Sequence, residues 1–336
     1  MSNLTIGDLA TTFQLRNFTN SGKAELTRLA QEMTSGVKSD LGAAVAGDFG
    51  PIAGIERSLR ANNAYRTVNA EAGSMLTAAQ LALGSVQELA SNLSPALLTA
   101  ASARDVTLID ATSEDAKQKF SSVVARFNTR IADRSFFSGA ATDRNALADG
   151  DAMLADLAAV TAGLTTAADV EAAVTAWFDD AGGGFETTGY TGSLADMGPM
   201  IIADGEEIAL DVRADDQTVR DMLKGFAMAA LIAEGTLAGD VAAQADLIEI
   251  SAGRLVAAEN DVTTLRARIG TLEERVEDAQ ARNVAERSAY ELARNEIVEA
   301  DPYETATLLQ TVIAQIESLY TITARISRLR FTDYMR

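Results

Sequence analysis

Residues 255–279, LVAAENDVTTLRARIGTLEERVEDA, decide how this chain reads. Leu255, Ala258, Val262, Leu265, Ile269, Leu272, Val276 and Ala279 stand 3, 4, 3, 4, 3, 4 and 3 residues apart. Such steps put apolar side chains on one stripe of a helix, and a stripe this long suits a helix packed lengthwise on another. Working outward, the pattern continues to Ile297, breaks at Asp301-Pro302, and resumes through Leu308, Val312, Leu319, Ile322, Ile326 and Leu329. Leu309, Ile313 and Ile316 widen that last face.

The N-terminal part mirrors this pattern. Leu15, Phe18, Gly22, Leu26, Leu29 and Met33 share a stripe that Ser35-Gly36 ends. After a stretch rich in glycine, a second run carries Leu59, Val68, Ala72, Met75, Leu76, Ala79, Leu83, Val86, Leu89 and Leu93, and Pro95 predicts its interruption. A third helix is predicted to open at Thr112 or Ser113 and to present Phe120, Val123, Val124, Phe127 and Ile131. Between the helical ends, Ala, Asp, Gly and Thr dominate. Helices are predicted at 151–162, 167–180 and 216–234, with a hairpin around Asp204-Gly205 closed by a turn of primed type. The fold class is mainly α: a long antiparallel helical coiled-coil bundle built from N- and C-terminal segments, with a smaller α+β insert. The predicted divisions are an N-terminal assembly helix in 1–45, a bundle core in 46–140 and 241–300, the surface insert in 141–240, and a C-terminal assembly helix in 301–336.

Composition excludes much chemistry. The 336 residues include no His and no Cys, so there is no imidazole base, thiolate nucleophile, disulfide or cysteine metal site. The chain holds 28 Lys+Arg against 48 Asp+Glu, a net charge of -20, which repels nucleic-acid phosphate. No nucleic-acid partner is expected. The acid is unevenly placed: residues 141–245 carry 4 basic and 19 acidic groups, whereas 1–45 and 301–336 each carry 4 of either sign. A self-repelling middle faces solvent, and neutral apolar ends can pack on partners without Coulomb cost. The first residues lack the basic flank and apolar run of a Sec signal, and no stretch reads as a membrane span, so neither is expected.

Catalytic and metal motifs are weak. Gly182-Gly183-Gly184 lacks the third glycine of a dinucleotide fingerprint, whose place Thr187 takes, and reads as a loop. The acid pairs Asp179-Asp180, Glu206-Glu207, Asp215-Asp216 and Glu273-Glu274 are chain neighbours whose side chains diverge. Asp204, Glu206 and Asp211 lack the ligand order of a calcium loop. The expectation is no enzyme, no cofactor and no metal. Two lone terminal helices bury too little surface to be stable, so the ends need partners. The predicted assembly interface is Leu15, Phe18, Leu26, Leu29 and Met33 with Leu308, Val312, Leu319, Ile322, Ile326 and Leu329.

Several segments resemble the bacterial flagellin family, closest to its hook-associated protein 3, or hook–filament junction, branch. Met33-Thr34-Ser35-Gly36 resembles the Leu-Ser-Ser-Gly that ends the first flagellin helix, and Val86-Gln-Glu-Leu-Ala90 a Val-Arg-Glu-Leu-Ala element of the next. Arg134-Ser-Phe-Phe-Ser-Gly139, Arg266-Ala-Arg-Ile-Gly270, Asp301-Pro-Tyr-Glu-Thr-Ala306 and Ser327-Arg-Leu-Arg-Phe-Thr-Asp-Tyr-Met335 are similar to elements of the junction branch. The likeness covers about 1–145 and 240–336. Ser39 to Phe49 lacks the usual Asp-Asp-Pro-Ala type sequence, Ser135 replaces an aromatic residue and Arg330 an apolar one. The resemblance implies a structural subunit exported unfolded by the flagellar type III apparatus, with a chaperone on the C-terminal helix. It also implies a homo-oligomeric ring between hook and filament, touching a neighbouring hook-associated protein and flagellin. Flagellin itself and a secreted adhesin using the insert remain open alternatives, with an enzyme using paired carboxylates more distant.

Overall fold

The computed structural model describes residues 6–131 and 133–334, and the side chains of 10–131 and 133–326. It contains nine α-helices among these residues: α1 (Ile6–Ser35), α2 (Leu41–Ala44), α3 (Gly50–Ala103), α4 (Val106–Phe127), α5 (Gly150–Thr161), α6 (Ala167–Asp179), α7 (Gln217–Ala233), α8 (Val241–Val298) and α9 (Pro302–Tyr334). Two short antiparallel hairpins complete it, β1 (Arg130–Ile131) with β2 (Arg134–Ser135), and β3 (Met200–Ala203) with β4 (Glu206–Ile208). The protein is mainly α with a small α+β insert. The chain forms two compact units, one from residues 1–62 and 285–336, the other from 63–284.

In the first unit α1 and α9 run antiparallel, since Gly22 lies against Ile316 while Val37 bridges Glu299. Gly36 (φ +69°) ends α1 as a glycine should: its N–H returns to the Glu32 carbonyl at 2.8 Å in a backbone form that other residues resist. The hairpin is closed by Lys38 N–H to the Val298 carbonyl (2.8 Å) and Ala300 N–H to the Gly36 carbonyl (3.0 Å). The predicted break at Asp301-Pro302 is a helix start: Asp301 Oδ1 accepts from Tyr303 N–H (2.8 Å) and Glu304 N–H (3.2 Å), and Pro302 takes the first helical position, where no donor is needed.

The second unit holds one continuous core. It draws on α3 through α8 and both hairpins, with Phe120, Phe127, Phe136, Phe137, Phe178 and Phe226 among its largest buried side chains. The α8 stripe from Leu255 to Ala279 lines this core: Leu255, which lies against Gly225 of α7, Ala258, Val262, Leu265, Ile269, Val276 and Ala279 are buried, and Leu272 packs at the edge. Gln87 donates to Thr263 Oγ1 (2.9 Å) and Gln80 to the Arg266 carbonyl (2.9 Å), while Arg104 pairs with Asp246 (2.9 Å), so α3 and α8 are antiparallel. Helix α7 is buried nearly all round, and even Lys224 is enclosed, its ammonium held 2.6 Å from both Asp179 and Asp221.

Three expectations need correction. Pro95 does not interrupt the second helix: α3 runs 54 residues through it. Buried Leu93 and Leu97 on either side supply packing that offsets the roughly 3 kcal/mol a mid-helix proline costs. The third helix opens at Val106, not Thr112 or Ser113, because Asp105 caps it by accepting from Leu108 N–H at 3.0 Å, leaving Ser113 buried inside, and it ends at Phe127, so Ile131 lies in β1 and not on the helix. At the β3–β4 turn only Gly205 has positive φ (+70°); Asp204 does not, so the turn is not primed, and the register shift between Ile201 and Ala203 absorbs the twist mismatch. The insert helices lie within one residue of their predicted bounds.

Candidate assembly interface

Because α1 and α9 each carry one apolar stripe and nothing else to bury it on, their pairing consumes only part of each. Leu29 (1% exposed), Val312 and Ile316 form a three-residue core, with Leu26 and Leu309 packed against it. Gly22 makes the close approach possible: a Cβ there would meet Ile316 Cγ1 at 3.1 Å. Lys23 Nζ sits 5.9 Å over the Tyr320 ring on the same seam.

The rest of the stripe stays open. Phe18 is 60% exposed, Met33 48%, Leu308 43% and Ile322 47%. Phe18, Gly22, Val312, Ile316, Leu319 and Ile322 border a groove of about 890 Å³. Leu15 and Ile326 border a second of about 380 Å³ beside Tyr320, and Leu308 lines a third of about 420 Å³. Of the residues named from sequence, the structure brings together Leu26, Leu29 and Val312. It leaves Leu15, Phe18, Met33, Leu308, Leu319, Ile322 and Ile326 wholly or partly uncovered. The side chain of Leu329 lies outside the described residues.

Sequence reading undervalued Ile316, central to the three-residue core, and Phe13, which is 66% exposed five residues before Phe18. It also missed a polar clamp at the end of α1. Arg28 pairs with Glu25 and, at 2.7 Å, with buried Glu32, whose Oε1 also accepts from Ser39 N–H at 2.8 Å. The guanidinium hydrogen bond holds Glu25 below the usual carboxylate range. The i, i+3 and i+4 spacing of Glu25, Arg28 and Glu32 was the available signal.

Elsewhere the weak motifs have structural employment. Gly184 lies against the indole of Trp177, where a Cβ would fall 1.8 Å from Nε1, so the glycine run gives the tryptophan its room. Glu206 and Asp211 are turned to Arg282 (2.5 Å) and Arg268 (2.6 Å). Asp179 is shared between Lys224 and Arg220, and Asp215 is held by Arg213 at 2.7 Å. Among the described residues no three of His, Cys, Asp and Glu gather as a metal site, and no helix is long and apolar enough to cross a membrane.

Residues 254–335 match the family profile of the bacterial flagellin C-terminal helical region. No curated protein matches the chain by sequence. Among solved structures, one described as a flagellar hook-associated protein from Vibrio parahaemolyticus is similar with a TM-score of 0.50 and 15% identity, covering 75% of this chain and 99% of that one. FlgL from Bacillus cereus is similar with a TM-score of 0.50 and 16% identity, covering 70% of this chain and 96% of that one. Residues 254–335 are thus similar in sequence to the flagellin C-terminal helical region, and most of the chain is similar in fold to these two solved structures.

Proposed function

We propose that this protein is a structural subunit of the bacterial flagellum that joins hook to filament, and that its terminal helices complete their folding as they join neighbouring subunits. The observation that carries the reading is the half-used stripe on α1 and α9: three side chains buried between the helices, and Phe18, Met33, Leu308 and Ile322 left to water. Burying such a side chain contributes roughly 1.5–3 kcal/mol each, so a neighbour covering the grooves supplies what the isolated pair lacks. The likeness to a flagellin helical region and to a flagellar hook-associated protein favours a structural role over a catalytic one. The partners proposed are a ring of copies, a neighbouring hook-associated protein and flagellin, with export by the type III route and a chaperone on the C-terminal helix. Hook-associated likeness supports the junction over the filament.

The test is genetic. A host lacking the chain should make hooks without filaments and shed flagellin into the medium. The parent chain should restore filaments, and Leu319→Asp, which puts a carboxylate into the groove bordered by Phe18 and Ile322, should not. Normal filaments in the deleted host defeat the proposal.

A further inference from the structure

A second groove lies on the 63–284 unit. Between α3 and α8 runs a groove of about 920 Å³. Its α3 side is made of Asn69, Ala70, Gly73, Ser74 and Thr77, its α8 side of Gly270, Glu273, Glu274 and Glu277. A Cβ at Gly73 would meet nothing within 4 Å, so the small-residue side is open to close approach. Leu81, 71% exposed, stands at its end.

Two observations show that the groove is unfinished. Asn69 is 1% exposed, yet neither its amide nitrogen nor its amide oxygen has a hydrogen-bond partner. An orphaned buried amide is destabilising, so this stretch of α3 is not held by its own polar contacts. The second is charge. The arginines of this part of α8 are committed elsewhere: Arg268 to Asp211, Arg275 to the Glu207 carbonyl (3.0 Å) and Arg282 to Glu206. Among the described residues Glu273, Glu274 and Glu277 form no ion pair, and the first receives a long contact from Gln80 (3.4 Å). At helical spacing, positions 270, 273, 274 and 277 share one face, so the three acids form one wall.

The complementary surface is on the chain itself. Arg57 and Arg60, one turn apart on α3, are exposed and form no ion pair among the described residues. We infer that the groove of one copy receives the Arg57–Arg60 face of a second copy, with Arg57 and Arg60 against the Glu273–Glu277 wall. Patch and counter-patch are different surfaces, so the contact is heterologous: it propagates into a ring or a fibre and does not stop at a dimer. The inference rests on the subunit reading above and names a lateral contact for it.

The chain has no cysteine, so introduced thiols are unique. Arg60→Cys and Glu277→Cys, each on a differently tagged full-length chain, are mixed at low salt with polyethylene glycol as crowding agent and oxidised, with circular dichroism confirming that both fold. The expected result is a disulfide-linked species carrying both tags, at least about tenfold above either same-tag species. Arg57→Glu in the Arg60→Cys chain should abolish it, and Glu274→Lys added to the Glu277→Cys chain should restore it. Larger assemblies without the mixed-tag disulfide overturn the inference and leave the subunit reading intact. Monomer under every condition also overturns it, and the subunit reading is then judged by whether isolated flagella contain the protein.

Discussion

Leu29→Ala strikes the point where the terminal pair is thinnest. Leu29 is 1% exposed and packs on Val312 and Ile316, which with it make up the buried seam of α1 and α9. Truncating a buried leucine costs about 2–5 kcal/mol, part lost transfer energy and part cavity. A core of three side chains has no reserve to absorb that, whereas the 63–284 unit shares none of these contacts. Hydrogen exchange read by mass spectrometry should show amides of 6–35 and 302–334 losing protection by at least about thirtyfold, with α3, α4 and α7 unchanged over 63–284. Retained protection in α1 and α9 refutes the seam as described, and equal loss across 63–284 refutes the independence of the two units.

Other outcomes follow from single contacts. Gly184→Ala drives a methyl group into the indole of Trp177, the sole tryptophan, and should shift its fluorescence to the red as the ring is displaced toward water; an unchanged spectrum contradicts the packing. Asn283→Leu leaves the Ile202 carbonyl without its 2.8 Å donor, a loss of about 1–3 kcal/mol, and should raise exchange in β3 and β4 before the helices respond. Burial raises the Glu259 carboxyl above its ordinary range, opposed by the Ser94 hydroxyl, and Oε1 has no partner. A carboxyl with a raised folded-state pKa binds more protons folded than unfolded, so this group lowers stability as pH climbs through and above the ordinary glutamate range. Glu259→Gln should therefore be the more stable form at pH 7, with the advantage fading below the ordinary range; a constant difference at all pH values contradicts the assignment.

Much of this was legible in the sequence, and what was not has identifiable causes. The Leu255–Ala279 stripe, Gly36 and the insert helices were readable because periodicity and glycine stops act locally. The passage of α3 through Pro95 was not, because tertiary packing by Leu93 and Leu97 overrides a local penalty. Nor was the extent of the seam on α3: Asn62, Asn69, Leu76, Leu83, Ala90 and Leu97 are all buried at seven-residue intervals, but the first two are polar and fall out of an apolar pattern. At the candidate interface the stripe was found, yet periodicity does not say which half of it faces the partner helix. That division depends on Gly22 and Ile316 meeting across a separation of nearly three hundred residues.

The central claim places this protein between hook and filament. Immunogold electron microscopy of flagella isolated from its host, with antibody raised against the acidic insert, locates it directly. The account predicts gold confined to one narrow band where the hook ends; gold along the whole filament identifies a filament subunit instead, and flagella without gold contradict a flagellar role altogether.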